Sequence, residues 1–154
     1  MMRALLLAIW MFLGAGQVWA DCAADQVRLR GGFGEIAFQV DLADTPKTRS
    51  RGLMFREHMA RGDGMLFIYD KPQRATFWMK NTLIPLDMIF ADKTGVISRI
   101  HRGAIPHDTT LIDGGDQVFV VLEINAGLAD RYGLRQGDQM QHPAFAQGPA
   151  AWPC

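Results

Sequence analysis

Lys80, Asn81 and Asp87 lie close together in RATFWMKNTLIPLDMIF, Arg74 to Phe90, an otherwise aromatic and aliphatic run. An ammonium, an amide and a carboxylate have two uses in such surroundings. Short Asn and Asp side chains reach local backbone, so Asn81 and Asp87 can accept N–H groups and pin the NTLIP crossover. Alternatively, Lys80, Asn81 and Asp87 hold a small polar ligand, with Trp78 as the apolar wall of its pocket. Ligand pockets place a few polar groups in apolar surroundings in this way. An aromatic face beside an amide and a carboxylate also suits a sugar, such as a cell-envelope glycan. Arg51, in TRSRGLMFRE, is the cation expected to face Asp87. A bidentate pair there would serve structure or anion recognition, whereas a surface pair would be worth little.

Three function classes follow. A non-catalytic binding module for a small polar ligand, an envelope glycan or a partner protein asks least of the chain, needing Trp78, Lys80, Asn81 and a shallow groove, and is the preferred reading. A hydrolase would pair Asp87 with Glu57, Glu123 or His107, and would need two titratable groups in one cleft with their pKa values pushed apart. A structural or assembly factor would use an exposed strand edge. No catalytic residue is fixed by any motif. His101, His107 and Asp108 have metal-ligand chemistry, but a Gly and a Pro between the histidines fit no rigid ligand spacing, so no metal is assigned. The glycines of GGFG and DGGD read as turns, because no helix follows in the frame a phosphate loop requires, and no cofactor is implied.

The ends of the chain place it. MMRALLLAIWMFLGAGQVWA carries one cation, Arg3, before an apolar run from Ala4 to Leu13, with Val18 and Ala20 at the small-residue positions of a cleavage site. This is the layout of a secretory signal peptide over residues 1–20, and the run is short for a membrane span. A retained anchor is the alternative. Asp21 before Cys22 argues against lipid modification. The expected mature product is one domain over residues 21–154, periplasmic or secreted, with no stable membrane span. The sequence has 16 basic and 16 acidic residues. That balance gives no broad electrostatic grip on nucleic acid or anionic lipid. Cys22 and Cys154 are the two cysteines, and an even count in an exported chain predicts a disulfide.

The intervening segments are short and strand-like. VRLRGGFGEIAFQVDLA predicts a hairpin, with Ile36, Phe38 and Val40 alternating with polar neighbours. Thr45 or Asp44 caps a short helix that Pro46 starts and Gly52 ends. GMLFIYD is a strand, KPQR a turn, and TFWMKN a second strand that Pro85 stops shortly after. LDMIFADKTGVISRI is a hairpin, HRGAIPHDTTLIDGGD a long connection, and QVFVVLEI a central strand. NAGLADRYG supplies a second helix ending at Gly133, and HPAFAQGPAAWPC (142–154) an extended strap. Phe77, Met79, Leu86, Met88 and Phe119, with Val121, are expected in one core. The strand–helix alternation of a parallel sheet is missing. The fold class is therefore mainly β, a compact β-sandwich or distorted, jelly-roll-like barrel with one or two short helices.

RSRGLMFRE, DGMLFIYD, FWMKNTLIPLDMIF, VLEINAG and GLRQGD, in that order, resemble the family known as domain of unknown function 192. The resemblance runs from about Val27 to Met140. It implies a compact, mainly β domain and carries no established activity, so it transfers no catalytic residue. Several relatives have cysteines in the long connection. This chain reads AIPHDTTLIDGG there, and no disulfide or metal role passes to it.

Overall fold

The computed structural model describes residues 22–154. The expected signal segment and the cleavage position before Asp21 lie outside the described residues. The chain runs β1 (Gln26–Gly31), β2 (Gly34–Ala43), α1 (Pro46–Arg51), β3 (Asp63–Phe77), β4 (Leu86–Ala91), β5 (Ile97–Ala104), β6 (Ile112–Asn125), α2 (Leu128–Tyr132) and β7 (Gln139–Gln141), then a 3-10 turn over Pro143–Gln147. The strands form one sheet in the order β5-β4-β6-β3-β2-β1-β7. The sheet curls until its edges meet at one end. There Val96 bridges Gln139, the Ile97 N–H donates to the Asp138 carbonyl at 2.8 Å, and the Met140 N–H donates to the Gly95 carbonyl at 2.7 Å. The result is a half-closed, mainly β barrel.

Each face of the curled sheet carries its own core. The concave face buries Leu29, Phe38, Leu66, Ile89, Ile97 and Leu122, among others drawn from every strand, with α2 and Phe145 over the opening. The convex face of β3, β4 and β6 buries Phe67, Leu86, Met88, Phe90 and Val121 beneath Leu53, Met79 and Ile84 from two covering loops. Phe77 joins this second core by edge-to-face contacts with Phe67 and Phe90, at centroid distances of 5.1 and 5.8 Å.

Several sequence expectations hold in outline and change in detail. The β1–β2 hairpin forms in antiparallel register, from Gln26 opposite Gln39 to Gly31 opposite Gly34. Thr45 does cap α1, accepting the Thr48 N–H at 3.1 Å, while the Thr48 hydroxyl accepts the Thr45 N–H at 3.0 Å. One parallel pair exists after all. β2 and β3 align from Gln39 beside Asp63 to Ala43 beside Phe67, and α1 with its following loop supplies the crossover. KPQR does not turn the chain. β3 runs through it, and its pairing with β6 shifts register between Ile68 and Gln73, an irregularity that tolerates Pro72. TFWMKN is not a strand beyond Phe77. The Met79 N–H instead donates to the Asp108 carbonyl at 2.7 Å, the Thr82 N–H donates back to Met79 at 3.1 Å, and Asn81 takes φ 57°.

Phe119 belongs to the other core. It packs beside Phe145 at a centroid distance of 6.0 Å, across the sheet from Met79, Leu86, Met88 and Val121. The register shift at Ile68/Gln73 breaks the two-residue period there, so counting back from Val121 gives the wrong side.

The chain termini are tied together. Cys22 and Cys154 are disulfide-bonded, with Cα atoms 5.5 Å apart. The last residues fold over β1 and β7. Trp152 is buried with the Arg28 and Arg30 guanidiniums 5.2 and 4.5 Å from its ring centroid, and Gln141 donates to the Pro153 carbonyl at 2.7 Å. His142 is also buried, bonding the Ala24 carbonyl through Nε2 at 2.9 Å and accepting the Ala144 N–H at Nδ1.

Asp87 is fully buried at the centre of this frame. One carboxylate oxygen accepts the Gly103 N–H at 2.8 Å and the other the Ala129 N–H at 2.9 Å. The second bond satisfies a free donor in the first turn of α2, where Gly127 offers no side-chain cap. Asp87 thus joins β4 to the end of β5 and to α2, and neither Arg51 nor Asn81 is its partner. Asp87→Asn replaces one acceptor oxygen with a donor that faces an N–H. The variant should lose about 2 kcal/mol or more in urea unfolding, the cost of a broken charge-assisted bond and an unsatisfied buried donor. An unchanged midpoint would show that Asp87 does not hold these elements together.

Candidate functional site

The C-terminal part of β6 reads QVFVVLEI, Gln117 to Ile124, and the one carboxylate in that stretch, Glu123, lies opposite Met65 of β3 and Met88 of β4. Glu123 is 4 % exposed. It has no hydrogen-bond partner among the described residues. No fully sealed side-chain oxygen or nitrogen among those residues lacks a partner, so the Glu123 oxygens must retain contact with open space. That space is a cavity of about 230 Å³ on the convex face of the sheet, lined by Glu123, Tyr69, Arg49, Arg51, Trp78 and Thr82, with Phe67 and Phe77.

Local folding explains why these groups meet. Capping by Thr45 starts α1, and Gly52 at φ 50° stops it, which leaves Arg49 and Arg51 on its last turn. Arg49 is held by two backbone carbonyls, Asp44 at 2.6 Å and Ile68 at 2.8 Å, and its guanidinium lies 5.3 Å over the Tyr69 ring. Arg51 is exposed and forms no ion pair among the described residues. Gly64 keeps β3 close to β6, since a Cβ there would stand 2.6 Å from the Glu123 carbonyl oxygen. Tyr69 and Glu123 then line the pocket from adjacent strands.

Burial against apolar neighbours pushes the Glu123 carboxyl up to about 8, with no cation offsetting it. Glu123 is therefore mainly protonated at pH 7 and has a proton to offer as a hydrogen-bond donor. Burial also raises the Tyr69 hydroxyl, against the lowering effect of Arg49 and with a further raise from Glu123. A neutral acid, a phenol and two guanidiniums at one pocket make a cluster of hydrogen-bond donors.

Two loops beside the pocket, and a third that lines the larger cavity, are held in unusual backbone conformations. Phe55, Asn81 and His107 have φ of 65°, 57° and 65°, the positive-φ residues other than glycine among those described. Each sits on a different loop, and backbone bonds stitch the loops together. The Phe55 N–H donates to the Asn81 carbonyl at 2.9 Å, and the His107 N–H donates to the Thr82 carbonyl at 3.2 Å. A bulky residue such as Phe pays for this region of φ, and strain of this kind clusters at functional sites. Phe55 and Trp78 are also exposed, by 62 % and 45 %.

The residues singled out from sequence separate. Trp78 and Arg51 line the pocket. Lys80 is exposed and rests its ammonium 5.3 Å from the Trp78 ring centroid. Asn81 is a turn residue whose amide points to the Met54 sulfur at 3.9 Å. Asp87 lies on the concave side, with Ile89, so it cannot act with Glu123 on the convex side. Glu57 and His107 are exposed on loops. His101 and Asp108 line a different, larger cavity of about 550 Å³, whose Arg99 and Arg102 are engaged by Asp113 and Asp130. Sequence reasoning named Glu123 only as a partner for Asp87, and it missed Arg49, Tyr69 and Thr82. The lone carboxylate in an apolar strand was the available signal for Glu123. The others become visible only when α1 folds over β3.

Comparison with known proteins places the chain. The DUF192 family profile, described as Uncharacterized ACR, matches residues 28–142, and the chain belongs to that family. A crystal structure of a protein of unknown function from Novosphingobium aromaticivorans DSM 12444 is 40% identical, with a TM-score of 0.73, covering 75% of this chain and 82% of that one. A crystal structure of a transcription regulator candidate from Sinorhizobium meliloti 1021 is 39% identical, with a TM-score of 0.76, covering 82% of this chain and 98% of that one. No curated protein matches the chain.

Glu123 should govern how stability depends on pH. Its folded pKa is raised to about 8, so the folded chain keeps a proton that the unfolded chain has already released. Its contribution is complete below the ordinary carboxylate range and is lost as pH rises through about 8. His142 has the opposite sign, because burial lowers its pKa and its contribution is lost below its ordinary value of 6.5. Between pH 6.5 and 8, unfolding free energy should fall by up to about 1.4 kcal/mol per pH unit. Glu123→Gln should flatten that slope. A wild-type chain with constant stability across this window would show that Glu123 ionises normally.

Proposed function

We propose that this DUF192 member is an exported, non-catalytic binding module that takes a small polar ligand, a free molecule or a unit of an envelope glycan, in the Glu123 pocket. The carrying observation is Glu123 itself, a buried carboxyl without a hydrogen-bond partner among the described residues, at an open cavity. Leaving a polar group unsatisfied costs stability, and sites that accept this cost are commonly kept for function. Trp78 offers an exposed aromatic face at the rim, suited to the apolar side of a ring. The separation of Asp87 from Glu123 supports binding over acid–base hydrolysis, because no second carboxylate lines the pocket among the described residues. The regulator designation belongs to the Sinorhizobium protein. Here, equal numbers of basic and acidic residues offer no electrostatic footprint for nucleic acid.

Export is supported by the apolar leader of residues 1–20 and by the Cys22–Cys154 disulfide, which persists in oxidising compartments. Among the described residues no helix is long and apolar enough to cross a membrane. Protein recovered from the periplasm should begin at Asp21 and contain no free thiol by intact mass. A retained leader would turn the module into an anchored one.

A thermal-shift screen against sugars, nucleotides and peptidoglycan fragments tests the binding reading, because a ligand specific for the folded state raises the melting temperature. At least one compound should stabilise the wild type, and Glu123→Leu or Trp78→Ala should abolish that shift. Hits that survive both substitutions would place the ligand elsewhere on the molecule.

A further inference from the structure

If the Glu123 pocket is a ligand site, as proposed above, its polar lining sets the charge of the ligand. Four aromatic side chains and a buried carboxyl would ordinarily suit an organic cation. Here the protein's own cations already cover the most suitable rings. The Arg49 guanidinium lies 5.3 Å over Tyr69, and the Lys80 ammonium lies 5.3 Å from the Trp78 centroid. A ligand cation would also meet Arg51 at the same rim.

The available hydrogen-bonding groups point the same way. One Nη of Arg49 is bound to the Asp44 and Ile68 carbonyls, and its other nitrogens have no partner among the described residues. Arg51 has no ion pair and Tyr69 no hydroxyl partner among the same residues. Glu123 is the single acid in the lining. The pocket thus offers donors and positive charge, with few acceptors. Phe67, Phe77 and Trp78 provide an apolar surface for the body of the ligand.

We infer that the pocket takes a small organic anion, a carboxylate carried on a ring, with Arg51 and Arg49 holding the carboxylate and the Glu123 carboxyl donating a hydrogen bond beside it. A guanidinium is the side chain best matched to a carboxylate, through two parallel N–H bonds. A neutral carboxylic acid in an apolar site acts as a donor in the same manner as a phenol.

A pH dependence follows. The charged and titratable groups that line the pocket with Glu123 are Arg49 and Arg51 from α1 and Tyr69 from β3; β4 places Met88 opposite it in register, and the covering loop adds Trp78 and Thr82. Glu123 donates while protonated and repels an anion once ionised. With its pKa about 8, anion affinity should weaken about tenfold between pH 7 and pH 9.

The test uses the disulfide-bonded protein and amide chemical shifts of Arg51, Tyr69 and Glu123. Benzoate, benzyl alcohol and benzyltrimethylammonium share a ring and differ in charge. Glucuronate and methyl glucoside repeat the comparison on a sugar. In at least one series the anion should bind tightest and should lose about tenfold in affinity from pH 7 to pH 9. Arg51→Ala should weaken the anion more than the neutral analogue. Glu123→Gln keeps a donor and removes the ionisation, so it should bind the anion with no such pH dependence. Tighter binding of the cation or of the neutral compounds would overturn the anion class and leave the pocket as a ligand site. Silence from all five compounds at these amides would overturn both.

Discussion

β4 and β6 are hydrogen-bonded to each other and buried on both faces, so a charged side chain on either has no solvent to turn to. All six residues of β4 are buried, as are those of β6 from Val120 to Ile124. Each of these buried stretches nevertheless carries one acid, and the two lie almost side by side, Asp87 opposite Ile124 and Met88 opposite Glu123. The strand period sends them to opposite faces. Burial of an acid is costly unless its charge is matched by hydrogen bonds or surrendered by protonation. Two backbone N–H groups match the Asp87 oxygens, whereas burial pushes the Glu123 carboxyl toward its protonated form. The architecture depends on the former, and the proposed activity on the latter.

The difference between the two acids comes from what covers each face. Over Asp87 stand regular elements whose ends have free N–H groups, the close of β5 and the first turn of α2. A carboxylate there finishes the hydrogen-bonding of both. Over Glu123 stand α1, too short to seal the sheet, and loops that bond mainly to one another. The stitching through Phe55, Asn81, His107 and Thr82 satisfies those loops' backbone without filling the space beneath them. A pocket remains, and its walls are set by backbone contacts rather than by tight side-chain packing.

The remainder of the molecule keeps this arrangement rigid. The curled sheet would be open at one end without the contacts from Gly95 to Ile97 with Gly137 to Met140. The terminal strap reinforces that region by packing Trp152 against Arg28 and Arg30 and by joining the last residue to Cys22. In the chain-entropy account a cross-link spanning 132 positions restricts nearly the whole unfolded chain, with a ceiling of about 4–5 kcal/mol. Stability of this kind offsets the left-handed loop residues and an acid that has no hydrogen-bond partner among the described residues.

Some of this was fixed by the sequence alone. Alternation in β1 and β2, the Thr45–Pro46–Gly52 signals around α1 and the apolar run of β6 are local, and local rules read them correctly. Motif order identified the family, because it needs no knowledge of contacts. The two cysteines predicted their own bridge by number and context. Tertiary structure decided the rest. Nothing local shows that α1 serves as a crossover between parallel strands, nor that a register shift carries β3 through KPQR and sends Phe119 to the concave core. The cluster from Asn81 to Asp87 reads as either a pinned crossover or a site because its residues are near in sequence, yet a strand face and a loop divide them, and Asp87 serves the backbone. Arg49, Tyr69 and Glu123 looked unrelated because they are far apart, and the β2–α1–β3–β6 packing unites them. Sequence records which groups are present and their local periodicity; which face a group occupies, and what lies above that face, is a property of the packed sheet.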